Sequence, residues 1–122
     1  MKLRVRGDSI RLRLTRTEVE RLAKTGEVHD AVHFDRGGTI LTYSIQTRAD
    51  AEAAWAEFAS GTLRVVADRQ TIRQWADSEE VALEWNGSVP ALLIEKDFVC
   101  LQPRRDEESS DLYPNPRLED AD

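Results

Sequence analysis

The sequence predicts a mainly β domain with two short helices, an α+β chain in which two strand-strand-helix-strand-strand repeats build a pseudo-two-fold β-barrel. Three observations lead there. TLRVVADRQTIRQWADSEEVAL, read from Thr62, lies over SIRLRLTRTEVERLAKTGEVHD, read from Ser9, without a gap and at a constant offset of 53 (62 − 9). Ile10 then falls on Leu63, Arg11 on Arg64, Val19 on Ile72, Leu22 on Trp75 and Val28 on Val81. Apolar and polar residues alternate at period two on both sides of these segments, as half-buried strands require. Glycine-containing pairs at Gly7-Asp8, Gly37-Gly38 and Asn86-Gly87 separate the alternating runs as hairpin turns would. Closing eight strands into a barrel removes exposed sheet edges.

The elements follow in order. Leu3 and Val5 alternate with Lys2, Arg4 and Arg6, and Ile10, Leu12 and Leu14 alternate with Arg11 and Arg13, so a hairpin turning at Gly7-Asp8 has one apolar face and one face of arginines. Thr15-Arg16-Thr17-Glu18 matches a capping box, Val19, Leu22 and Ala23 form a helical stripe, and Gly26 suits a left-handed stop. Val28, Asp30, Val32 and Phe34 share one strand parity; Leu41, Tyr43 and Ile45 share another across the Gly37-Gly38 turn. Residues 50–60 are two-valued. Ala51, Ala54, Trp55 and Phe58 have helical spacing, but the offset places Ala56 on Leu3 and Phe58 on Val5, and the repeat predicts a strand. Asp68 caps a second helix carrying Ile72, Trp75 and Ala76, and Val81, Leu83 and Trp85 make the next strand before Asn86-Gly87. Beyond Pro90 the chain reads as one long strand or as two short ones. A bend at Glu95-Lys96-Asp97 is preferred, leaving those charges in solvent and starting a fresh strand at Phe98 and Cys100.

A chain of 122 residues fits one domain able to bury a sufficient core. Residues 1–103 are expected to form it, with repeats at about 1–50 and 51–103, followed by an acidic, proline-containing tail over 104–122. Cys100 is the lone cysteine, which excludes an intrachain disulfide and suits a reducing cytoplasm. No run approaches the roughly 20 apolar residues of a membrane span. Net charge is −6, unevenly spread: residues 1–26 carry eight Lys/Arg against three Asp/Glu (+5), residues 27–103 six against thirteen (−7), and residues 104–122 three against seven (−4). An acidic whole argues against nonspecific nucleic-acid or anionic-membrane binding, whereas the basic start keeps a local version of it.

The opening MKLRVRGDSIRLRLT, the core LLIEKDFVCL and the YPNP ending resemble a family of small uncharacterised bacterial proteins, a domain of unknown function. The resemblance covers nearly the whole chain and implies no catalytic residues. More loosely, the order strand, capped helix, strand, strand in each half is similar to the units of swapped-hairpin barrels, including AbrB-type transcription regulators. That similarity implies a barrel formed from two units; the acidic middle departs from a DNA binder.

Four features carry possible chemistry. Arg4, Arg6, Arg11 and Arg13 offer planar forks for phosphate, unless Glu84, Glu80 or Asp30 on neighbouring strands neutralise them. Glu95, Lys96 and Asp97 offer two carboxylates flanking a lysine, a pattern suited to general acid and base work, although such charges at a turn are commonly just solvated. Tyr113, Pro114, Asn115 and Pro116 can form an extended segment gripped by an aromatic groove, on a partner or on the chain itself. His29 and His33 lie about 13 Å apart on a strand, too far to share one metal, and Cys100 between Val99 and Leu101 lacks a cationic neighbour to activate it. No metal site, cofactor or catalytic constellation is predicted. The expectation is a small cytoplasmic binding or protein-interaction module with a protein partner or as a homodimer. Phosphate or nucleic-acid binding through the arginines is the alternative, and an enzyme at Glu95-Lys96-Asp97 the third reading.

Overall fold

The structure, a computed structural model, describes residues 1–98. Eight strands and two helices follow in the order β1 (Lys2–Arg6), β2 (Ser9–Leu14), α1 (Arg16–Thr25), β3 (Glu27–His33), β4 (Ile40–Arg48), β5 (Trp55–Ala59), β6 (Thr62–Asp68), α2 (Arg69–Ala76), β7 (Ala82–Trp85) and β8 (Ala91–Lys96). Strand, strand, helix, strand, strand thus occurs twice. The starts of β5, β6 and α2 lie 53 residues after those of β1, β2 and α1 (55 − 2, 62 − 9, 69 − 16). The ambiguous segment is therefore a strand from Trp55 to Ala59, in spite of its alanines, and Ala51–Ala54 stays outside it. Cross-strand packing overrides local helix propensity here.

Local chemistry sets the helix ends. The Thr15 hydroxyl accepts from the Glu18 amide while the Glu18 carboxylate accepts from the Thr15 amide, completing the capping box. Gly26 ends α1 with φ 85°, where an L side chain is strained. Asp68 caps α2 through the Thr71 amide and hydroxyl.

The strands form two four-stranded sheets. The first has the order β1-β2-β8-β7 and the second β3-β4-β6-β5. Each joins an antiparallel hairpin from the first half of the chain to one from the second through a central parallel pair, β2 with β8 and β4 with β6. Ile10, Leu12, Leu14, Leu92 and Ile94 from the first sheet meet Val28, Ile45, Val65 and Ala67 from the second, together with Val19 and Leu22 of α1 and Ile72 and Trp75 of α2, in one buried cluster. Truncating a fully buried member such as Leu14 or Ile94 costs about 2–5 kcal/mol.

Two local expectations are corrected. Asn86-Gly87 is not a two-residue turn: five residues, Asn86 to Pro90, separate β7 from β8, the Val89–Pro90 peptide is cis, and Gly87 is not among the glycines with positive φ. The expected bend at Glu95-Lys96-Asp97 is also absent. The strand runs on through Lys96 because β2 offers a parallel partner as far as Leu14, and the Asp97 amide adds a bond to the Leu14 carbonyl at 2.8 Å. Nor are all three charges in solvent, since Glu95 is buried. Cys100 and its expected strand, and the tail with Tyr113, Pro114, Asn115 and Pro116, lie outside the described residues.

Candidate functional site

Alternation along β1 sends Leu3 and Val5 toward the interior side and Lys2, Arg4 and Arg6 to the outer face of the first sheet. Register then decides what stands beside them. Lys2 pairs with Arg13, Arg4 with Arg11 and Arg6 with Ser9; on the next strand Arg11 pairs with Leu93 and Arg13 with Glu95; on the last, Glu84 pairs with Leu93. Directly paired residues share a face. The outer face therefore gathers five cations, Lys2, Arg4, Arg6, Arg11 and Arg13, against the carboxylates of Glu84, Glu95 and, at its end, Asp97, a local charge of +2 (5 − 3) on a chain whose net charge is −6.

The cations are not equivalent. Arg13 Nε donates to Glu95 Oε1 at 2.9 Å, and Arg11 Nε lies 3.8 Å from the same oxygen. Glu95 is only 6% exposed, so this carboxylate is held under the two arginines. Lys2 Nζ is 3.3 Å from Asp97. Among the described residues no carboxylate lies within ion-pairing distance of Arg4 or Arg6, and both are exposed. The corresponding ladder of the second sheet differs: there Glu57 faces Arg64 and the two form an ion pair at 2.8 Å.

The four expected arginines are thus brought together on one face. Of the carboxylates suggested as their counter-ions, Glu84 shares that face without an ion pair among the described residues. Asp30 lies elsewhere, 3.5 Å from the Met1 amino group, and Glu80 precedes β7. Glu95 takes the role instead, and Lys2 joins the face. The charges of the Glu95-Lys96-Asp97 motif diverge. Lys96 Nζ donates to the carbonyls of Trp75 and Ser78 at 3.0 and 2.7 Å and lies 5.2 Å from the centre of the Trp75 ring, whereas Glu95 and Asp97 engage cations of β1 and β2.

A second polar junction has no signal in the sequence pattern. The Met1 amino group donates to Glu18 Oε2 at 2.6 Å, and the Met1 carbonyl accepts from the Tyr43 hydroxyl at 3.1 Å. Glu18 therefore caps α1 with one oxygen and holds the amino group with the other. Burial works to raise its carboxyl, but hydrogen bonds from the ammonium and from Thr15 together hold it below the usual carboxylate range. Asp30 is lowered too, chiefly by the Ala31 amide, and the Tyr43 phenol is raised by burial and then by the nearby carboxylates of Asp30 and Glu18.

Elsewhere, His29 and His33 lie on β3 and pair with Ser44 and Ile40. Among the described residues no group of three or more His, Cys, Asp and Glu side chains is placed to hold a metal, and no helix is long and apolar enough to cross a membrane. A groove of about 1030 Å³ between α1, α2 and the end of β8 has Val19, Ala23, Ala76 and Phe98 in its walls, with charges of both signs around them.

Comparison with curated proteins and with solved structures returns no match. A family model, described as a family of unknown function, matches residues 1–117, and the chain belongs to that family, DUF7009.

Proposed function

We propose that this protein is a small binding module, without catalytic chemistry of its own, that captures an acidic protein partner on the outer face of the first sheet. The observation that carries the reading is the Arg4–Arg11 pair. Like charges directly opposed across a ladder are destabilising, and the second sheet fills the same ladder position with an ion pair. A face that leaves Arg4 without a counter-ion among the described residues, and gives Arg11 only the longer, 3.8 Å share of the Glu95 carboxylate that Arg13 already holds, is arranged for an anion supplied from outside. Carboxylates fit better than nucleic acid, because among the described residues the face carries no exposed aromatic side chain on which bases could stack. The enzyme reading has less support, since Glu95, Lys96 and Asp97 each engage a different set of groups.

The same reading takes residues 1–103 as one domain and the two halves as copies whose sheets curl around a shared, barrel-like interior. The offset of 53 and the matching strand orders of the two sheets support it. A cytoplasmic setting is inferred from the lone cysteine.

Titration with fluorescent polyglutamate tests the function. Affinity should fall as salt rises, and the R4E/R11E variant should lose binding, while Lys24→Glu, which makes the same charge change once on the far end of α1, should keep most of it. Equal binding by all three proteins would remove the face from the mechanism.

A further inference from the structure

We propose that β1 is a docking edge, to which an acidic extended segment of a partner protein adds as a fifth strand of the first sheet. This rests on the proposed acidic partner and specifies how it is held. β1 is a terminal strand of its sheet, and among the described residues it pairs only with β2, so one row of its backbone amides and carbonyls has no ladder partner. Four of its five residues are exposed, and Val5, on the interior side, is 61% exposed. The strand offers an incoming chain a cation at every second position, Lys2, Arg4 and Arg6, and apolar contact at Leu3 and Val5 between them.

That alternation specifies the occupant. An added strand repeats its side-chain direction every second residue, about 6.6 Å apart, so carboxylates at positions i, i+2 and i+4 would stand beside Lys2, Arg4 and Arg6 while the intervening apolar residues pack over Leu3 and Val5. Ladder bonds supply affinity and the alternating side chains supply selectivity. The added carboxylate also converts the opposed Arg11–Arg4 pair into a row ending in opposite charge. A second copy of β1 would set cation against cation, so the edge selects against itself. The other terminal strands lack this pattern: β7 is four residues long and carries Glu84, β5 carries Glu57 already paired with Arg64, and β3 carries Glu27 and Asp30.

The test uses the full chain and a labelled VEVEVEV peptide, with a second version N-methylated at alternate residues along one edge. Methylation keeps every carboxylate but removes donors from that edge, and moving it to the other edge gives a third peptide. We expect one of the two methylated peptides to bind at least tenfold more weakly than the parent, and the β1 amides to gain hydrogen-exchange protection with the parent alone. If both methylated peptides bind as well as the parent, strand addition is overturned although the acidic-partner reading stands. If the parent and polyglutamate both fail to bind, the two readings fall together. Displacement of the parent peptide by oligodeoxythymidylate at lower concentration than by polyglutamate, or a β1-dependent dimer in sedimentation that excludes the peptide, would assign the edge to a different occupant and overturn the inference.

Discussion

Arg4 stands directly across the β1–β2 ladder from Arg11, whereas 53 residues further on, across the β5–β6 ladder, Glu57 stands across from Arg64 and pairs with it at 2.8 Å. One position of the fold thus sets like charges opposite each other in one sheet and opposite charges in the other, a difference that stability measurements can read and that the proposed acidic-partner binding would share.

Arg4→Glu should recreate in the first sheet the pairing that Glu57 and Arg64 make in the second. Cross-strand charge pairs contribute roughly 0.2–1 kcal/mol, so the variant should be more stable by about 0.5 kcal/mol in urea denaturation at low salt. It should at the same time lose affinity for polyglutamate. A variant that binds less and is also less stable would point to ordinary damage rather than to a functional like-charge pair.

Glu95→Gln should move the two quantities the other way. Removing the carboxylate leaves Arg13, with a side chain only 17% exposed, without its charged acceptor, and costs about 1–3 kcal/mol. The face gains a net positive charge, and polyglutamate should bind more tightly. Chemical denaturation and the same titration read both effects; unchanged affinity would show that Glu95 does not share the field of the ligand.

Acid sensitivity follows from Glu18. Its carboxyl titrates below the ordinary value in the folded protein, so the folded state binds fewer protons than the unfolded one in that range. The resulting stability is fully present above the unfolded value of about 4.3 and is lost as pH falls through the lowered native value. Glu18→Gln can still cap α1 through the Thr15 amide but cannot titrate. Its stability should therefore fall less steeply than the parent's between about pH 4.3 and the acid transition, as measured by urea denaturation across pH. Parallel curves for the two proteins would remove Glu18 from the acid response.

What the sequence made legible was local or repetitive. The constant offset placed β5 where alanine propensity suggested a helix, Thr15 and Glu18 marked the start of α1, and the alternation of Lys2 to Arg13 put the arginines on one face. What stayed hidden depends on which strands become neighbours. Arg13 and Glu95 are 82 residues apart and meet only because β2 and β8 pair in parallel; period-two alternation gives a residue its face but not the strand beside it. The contact between the Met1 amino group and Glu18 is hidden for the same reason. Asn86-Gly87 misled in the opposite direction, its dipeptide preference yielding to a longer connection that ends at Pro90.

The two hairpin tips offer a last, purely conformational test. Gly7 has φ 54° at the tip of β1–β2, and Ser60, 53 residues later at the tip of β5–β6, has φ 52°. The left-handed conformation costs an L residue roughly 1–2 kcal/mol, partly offset because glycine gives up more freedom on folding. Ser60→Gly should accordingly stabilise the protein by about 0.5 kcal/mol, and Gly7→Ser should destabilise it by a similar amount, since a Cβ at Gly7 meets no atom within 4 Å and the effect is one of backbone conformation alone. Thermal denaturation of the two single variants and of the double variant checks this, the double variant returning close to the parent because the tips act independently. A loss of stability in Ser60→Gly would mean that the serine side chain contributes more at its tip than its backbone conformation costs.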